Sequence, residues 1–255
     1  MVYSSKLKKN ILVTGKTSRF CKYLIENENN FNFFFTSKKN FNILDFEQMN
    51  DYLKQNKIDY LIHIAGLSRP MKIHEKKISL SIDLNIIGTA NIVKVCEKFK
   101  IKLIYFSTNY VYPGITGNYK EDHPLKPVNN YAWSKLGGEA CVHLYKNSLI
   151  LRICMTDYPF THKKAIKGAK TSFVFNKFVS QMLPLFINEK GVLNVGGNRR
   201  DIYEFAKKHN NKIRPISFTK IKNFPKDSSV NINKLKKILK ENNFKINGYN
   251  YSSYL

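Results

Sequence analysis

Tyr131 and Lys135, in Tyr131-Ala-Trp-Ser-Lys135, set a phenol and an ammonium four residues apart. On a helix that spacing puts both on one face. A phenol with a pKa near 10 is a weak acid at neutral pH, and an adjacent ammonium stabilises the phenolate and lowers that pKa. The pair could therefore hand a proton to an oxygen that is gaining negative charge. Ser107-Thr108-Asn109, closing the apolar run Leu103-Ile-Tyr-Phe, adds hydroxyls that could bond a carbonyl while Tyr131 protonates it.

The spacing by itself is weak, because 15 tyrosines in so lysine-rich a chain produce about two such matches by chance. A second does occur, Tyr203 to Lys207, within Asp201-Ile-Tyr-Glu-Phe-Ala-Lys-Lys-His209. It reads as an amphipathic surface helix. Position in the order of elements separates the two.

Asn10-Ile-Leu-Val-Thr-Gly15 predicts a strand and tight turn, followed by a helix over 18–27. Strands are predicted over 31–35, 60–64, 103–107 and 148–153, and a short one over 41–44 closing at Asp45. Helices are predicted over 46–55, 73–99 and 130–145. Near-continuous apolar strands alternating with helices specify a doubly wound α/β fold with a parallel, Rossmann-like sheet. Beyond Arg152 the rhythm weakens: a basic loop at 161–170, helices over 172–186, 200–208 and 232–241, and short strands at 192–195 and 215–218. The predicted organisation is a dinucleotide-binding domain at 1–153 and a small C-terminal α/β substrate lobe at 154–255, packed over the carboxyl ends of the strands, where such sheets bind ligands.

Composition narrows the function classes. The chain has 255 residues with 43% hydrophobic content, enough for a full core. No run of eighteen apolar residues and no signal-peptide pattern is seen, so the expectation is a cytoplasmic chain that does not engage a membrane. Cys21, Cys96, Cys141 and Cys154 share no CxxC spacing and sit in apolar segments, which predicts reduced thiols and no metal site. The 43 Lys and Arg against 18 Asp and Glu give a net charge of +25. The lysines are spread along the chain without a basic arm or an arginine-rich helix, which argues against nucleic acid and for steering of anionic ligands.

A strand feeding a helix through Thr14-Gly-Lys-Thr-Ser-Arg-Phe-Cys21 aims backbone N–H groups at a pyrophosphate. Gly15 is retained, whereas Ser18 and Cys21 stand where a full fingerprint has glycine; Cys21 is expected to push helix and strand slightly apart. After the second strand, Phe34-Phe-Thr-Ser-Lys-Lys39 lacks the acid that would bond an NAD ribose. Lys38, Lys39 and Arg19 could face a 2'-phosphate, so NADPH is expected over NADH. Ile64-Ala65-Gly66 should bring backbone against the cofactor. Asn85 lies among Ile82, Ile86 and Ile87, so its amide needs buried partners, in a proton relay or a helix kink.

Together, Ser107-Thr-Asn-Tyr-Val-Tyr-Pro-Gly114, Tyr119-Lys-Glu-Asp-His-Pro124, Pro127-Val-Asn-Asn-Tyr131 and Ser134-Lys-Leu-Gly-Gly-Glu139 resemble the extended short-chain dehydrogenase/reductases, and among them the dTDP-4-dehydrorhamnose reductase family. Gly191-Val-Leu-Asn-Val-Gly-Gly197 and Pro225-Lys-Asp-Ser-Ser-Val-Asn-Ile-Asn-Lys-Leu235 look like that family's later segments. The resemblance implies a catalytic set of Thr108, Tyr131 and Lys135 with Asn85 as a fourth member. Cofactor contacts would come from Gly15, Thr17, Ser18, Arg19, Phe20, Ser37, Lys38, Asp45, Phe46, Ala65, Gly66, Tyr131 and Lys135, with Asp45 near the adenine. Substrate contacts would come from Ser107, Thr108, Asn109 and Met155. The implied reaction is NADPH-dependent reduction of a C4 keto group on a nucleotide-diphosphate 4-keto-6-deoxy sugar, in a chain that could be a homodimer. A combined epimerase/reductase, or a non-catalytic dinucleotide-binding regulatory subunit, is the alternative.

Overall fold

The computed structural model describes residues 8–25, 31–246 and 249–250. Six parallel strands form the central sheet: β1 (Lys9–Thr14), β2 (Phe31–Thr36), β3 (Tyr60–His63), β4 (Lys102–Thr108), β5 (Ser148–Ile153) and β10 (Gly191–Val195). Their order across the sheet is β10-β5-β4-β3-β1-β2. Winding reverses between β1 and β3, and at such a switch point the carboxyl ends of the strands open a crevice. β4 and β5 are buried along their whole length, as two covered faces require.

One face is covered by α1 (Cys21–Ile25), α7 (Asn176–Phe186) and α9 (Asn233–Glu241), with Leu24, Val179, Leu183 and Leu235 in its core. The other is covered by α2 (Phe46–Gln55), α5 (Gly88–Lys98) and α6 (Asn130–His143), around Met49, Leu53, Val95 and Val142. A third, smaller core gathers Phe160, Phe175, Ile202, Phe205 and Ile213. It sits among β7 (Lys164–Lys167), β8 (Lys170–Thr171), β9 (Val174–Phe175), β11 (Arg200–Asp201), α8 (Ile202–His209) and β12 (Arg214–Ser217). β7 pairs with β12, β8 with β11, and β6 (Met155–Thr156) with β9.

Several elements differ from expectation, each for a local reason. The segment 41–44 is a turn and not a strand, because Asp45 caps α2 by accepting from the Gln48 N–H at 3.0 Å. The expected helix at 18–27 begins at Cys21, and its last two residues lie outside the described ones. The basic loop at 161–170 contains β7, and the helix expected from 172 starts only at Asn176 because β9 precedes it. The strand at 192–195 is not local to a lobe: as β10 it pairs with β5, so the ladder crosses the expected 153/154 boundary.

The long helix expected over 73–99 is broken into α3 (Ile73–Lys76), α4 (Ile78–Ile82), a π-helical turn (Asp83–Ile87) and α5. Ile78–Lys98 is long and apolar enough to cross a membrane by length and composition, a feature that the absence of an uninterrupted apolar run conceals. In this fold it packs against α6, and Asn85 lies at its π turn.

Candidate active site

Tyr131 and Lys135 sit in the first two turns of α6, whose start is fixed by Asn129 accepting from the Ala132 N–H at 2.9 Å. α6 can lie against β4 and the π turn because Gly138 has no side chain: a Cβ there would fall 2.3 Å from the Asn85 carbonyl oxygen and 2.7 Å from the Tyr105 hydroxyl. That close approach lets the Tyr105 hydroxyl donate to the Lys135 carbonyl at 3.1 Å and sets the Lys135 Nζ 4.1 Å above the Tyr105 ring. The Thr108 hydroxyl, at the carboxyl end of β4, lies beside the Tyr131 phenol and favours its ionisation. β4 and α6 therefore set Thr108 beside Tyr131, with Lys135 one turn further along α6.

The electrostatics differ from the simple expectation. Burial raises the Tyr131 pKa, opposed by the Thr108 hydroxyl and by the charge of Arg69. Burial also pushes Lys135 down to about 7, with Glu139 acting in the opposite direction. The charge of Lys135 is thus costly where it sits.

Asn85 lies in the π turn that breaks the long helix, with its amide fully partnered, as the helix-kink expectation requires. Its Oδ1 accepts from the Leu67 N–H at 2.7 Å, and its Nδ2 donates to the Leu67 carbonyl at 2.9 Å and to the Ser134 hydroxyl at 2.8 Å. The amide clamps the β3 loop to α6 and is spent on that bracing. Gly66 is needed beside it, since a Cβ there would lie 2.7 Å from Asn85 Oδ1.

Strand alternation turns Ser107 away from Thr108. Its hydroxyl donates to the buried Glu139 carboxylate at 2.6 Å, so it is not free for substrate. Asn109 likewise points into a structural network, donating to Thr171 and to the Ser228 carbonyl. Met155 lies half-buried in β6.

On the cofactor side, Gly15 takes φ +79°, and a Cβ there would meet the Ala65 N at 3.0 Å. The turn needs glycine both for its backbone angle and for the approach to Ala65. Ser18 donates to the Cys21 sulfur at 3.2 Å, and that thiol faces the Gly15 carbonyl at 3.4 Å. Cys21 therefore fills the place of a packing glycine with a thiol bonded to the loop. This retained turn fits a dinucleotide pyrophosphate. Thr17, Arg19 and Lys38 are exposed, and Ser37 and Ala65 are half-buried. Phe20 is buried against Phe106, ring centroids 5.1 Å apart, so only its backbone faces the loop. Asp45 is engaged as the α2 cap, and the Phe46 ring lies under the Lys94 ammonium at 4.6 Å.

Sequence reasoning gave no role to Arg69, Asp157 or Glu139. Arg19 forms an ion pair with Asp157, which also accepts from Asn176 at 2.7 Å, joining the first turn to the segment after β5. Arg69 and His162 share that electrostatic neighbourhood. Glu139 was within reach of the sequence, one turn beyond Lys135. The second match, Tyr203 and Lys207, lies on the surface helix α8 with the ammonium 5.8 Å from the ring.

Comparison with known proteins agrees with this architecture. The family described as the RmlD substrate binding domain matches residues 9–159. A dTDP-D-glucose 4,6-dehydratase from Dictyostelium discoideum is 29% identical over 160 residues, 58% of this chain and 34% of that protein. Methionine adenosyltransferase 2 subunit beta from Xenopus laevis is 35% identical over 101 residues, 40% of this chain and 30% of that protein. The matched segments thus span about a third of the length of these curated relatives. Among solved structures, a dTDP-4-dehydrorhamnose reductase from Bacillus anthracis in complex with NADP superposes with a TM-score of 0.81 at 22% identity, over 95% of this chain and 94% of that one. The family match covers more than half of the sequence and includes both the loop at Gly15 and the Tyr131 helix, so this chain belongs to the RmlD family of extended short-chain dehydrogenase/reductases.

Proposed function

We infer that the protein is an NADPH-dependent reductase of the C4 keto group of a nucleotide-linked 4-keto-6-deoxy sugar. The observation that carries this reading is the Thr108 hydroxyl beside the Tyr131 phenol at the carboxyl end of β4, with Lys135 one turn further along α6. A bound nicotinamide would supply hydride to the sugar carbon. Tyr131 protonates the emerging alkoxide, Thr108 orients the carbonyl oxygen, and Lys135 stabilises the phenolate left behind. Arg19 and Lys38 favour the 2'-phosphate of NADPH, and the dispersed lysine surface favours encounter with two anionic ligands over any engagement of nucleic acid or membrane.

Mixing the protein with NADPH and a dTDP-linked 4-keto-6-deoxy sugar should consume nicotinamide absorbance, and Tyr131→Phe should reduce turnover by at least about 100-fold. Tight NADPH binding without turnover of any 4-keto sugar nucleotide would sink the reductase and leave the second reading, a dinucleotide-binding regulatory subunit. That reading is favoured by the similarity to a subunit beta and by the substituted glycines at Ser18 and Cys21.

A homodimer is part of the proposal. Ile78, Ile82, Ile87, Trp133 and Leu144 are exposed on α4, the π turn and α6 and its end, and α6 packs against the π turn and α5. Residues 78–93 contain no Lys or Arg, and α6 has only the buried Lys135. In a chain of net charge +25, a face free of lysine is the one where a second copy can approach without repulsion. Sedimentation should give a dimer that Trp133→Glu converts to a monomer; a monomeric wild-type chain would refute it.

A further inference from the structure

We propose that Glu139 is a positioning residue that holds Lys135 in its charged form from one helical turn away. This rests on the reading of Tyr131 and Lys135 as the proton-transfer pair. α6 carries Tyr131, Lys135, Glu139 and His143 at successive four-residue steps. Glu139 is fully buried, and a buried carboxylate is costly unless bonded and paired. Here it is both: Arg152 donates to its Oε1 from Nε at 3.0 Å and from Nη2 at 2.5 Å, and Ser107 donates to its Oε2 at 2.6 Å.

Arg152 also donates to the Tyr112 hydroxyl at 2.9 Å and to the Glu121 carbonyl at 2.8 Å, which fixes the guanidinium in place. The carboxylate is on α6 itself, next in the row to Lys135. Its negative charge therefore lies one helical turn from Lys135 and favours the ammonium.

The remaining neighbours do not do this. Tyr105, under the ammonium, is kept protonated by burial, and His63 is kept neutral, with its pKa down at about 3. His143 stands 3.6 Å from Glu139 with half of its side chain exposed, and is the solvent-facing end of the row. Glu139 is the group that opposes the loss of charge that burial imposes on Lys135.

The test uses the full chain without substrate. NMR of the Lys135 Cε, assigned against Lys135→Met, follows its titration in wild type, in Glu139→Gln, and in Glu139→Gln combined with Arg152→Gln, which spares the fold an unpaired buried cation. The Lys135 midpoint should fall by about one pH unit or more in either folded variant, and the alkaline limb of turnover should move by the same amount. Glu139→Asp should restore part of the shift. An unchanged midpoint in the folded variants, or lost turnover with an unchanged pH profile, would reduce Glu139 to a structural role. Because the midpoint is read without turnover, failure of the reductase reading would be seen separately, as absence of activity in the wild-type chain.

Discussion

Asn85 spends both ends of its carboxamide on Leu67, accepting from its N–H at 2.7 Å and donating to its carbonyl at 2.9 Å. The π turn of Asp83–Ile87 is where this residue sits, and Thr89 satisfies its carbonyl with a bond of 2.9 Å. Asn85→Ala would leave a backbone donor and acceptor of the β3 loop without partners. Each such group costs about 1–3 kcal/mol, so urea unfolding should show a loss of about 3 kcal/mol. Cofactor affinity should also weaken, because Ala65 and Gly66 lose their brace.

Adjacent glycines on α6 should respond differently to the same methyl group. At Gly138 the added Cβ meets the Asn85 carbonyl oxygen at 2.3 Å, which is backbone and cannot turn aside; at Gly137 it meets Ile86 Cδ1 at 2.7 Å, the far end of a flexible side chain. Gly137→Ala should cost about 1 kcal/mol or less, and Gly138→Ala about 3 kcal/mol or failure to fold. Thermal melting of the two variants side by side checks this.

Periodicity and element order made the parallel sheet and its crevice legible, and they put Thr108 at a strand end and Tyr131 and Lys135 one turn apart on the following long helix. What stayed hidden depended on which way a side chain is spent. Ser107 and Thr108 are neighbours in sequence, but pleating sends one to Glu139 and the other to Tyr131. Asp45 reads as an acid at the end of a strand until it is seen that a helix start needs it. Lys135 was legible as a cation, while the cost of burying that cation comes from the surrounding core, which no local pattern announces.

His63 should give the chain a specific acid sensitivity. The Thr14 hydroxyl, accepting from the Ile64 and Ala65 N–H groups, is left to donate to Nδ1 at 2.9 Å; the Thr89 hydroxyl, donating to Asn85, is left to accept from Nε2 at 3.1 Å. This neutral ring has no place for a second proton, and burial lowers its pKa to about 3. Between about pH 6.5 and 3 the unfolded chain binds a proton here that the folded chain does not, so stability falls as pH falls, by about 1.4 kcal/mol per unit from this group. His63→Gln should flatten that part of the urea stability profile, and an unchanged slope would exclude the assignment.

The thiols should label in order of exposure. Cys21, Cys96 and Cys154 are buried and Cys141 is half-buried, and burial raises the pKa of the first three, Cys154 to about 12. A thiol kept protonated and covered is a poor nucleophile. Native alkylation at neutral pH, read by mass spectrometry, should modify Cys141 first. Prior labelling of Cys21 would mean that the Gly15 turn opens readily.

Arg19 offers the sharpest test of cofactor choice. Half-exposed on the first turn, it is tied to Asp157, a carboxylate only 7% exposed, on the segment after β5. A dinucleotide bearing a 2'-phosphate would compete with Asp157 for the guanidinium; one lacking that phosphate would not. Arg19→Ala should therefore weaken NADPH binding about tenfold while leaving NADH nearly unchanged, since one charge-assisted contact is worth roughly that factor. Asp157→Asn should act in the opposite sense and tighten NADPH, because the arginine no longer has to be released. Equal weakening of both dinucleotides by Arg19→Ala would assign the arginine to the shared pyrophosphate, and the preference for NADPH would then have to come from Lys38 and Lys39.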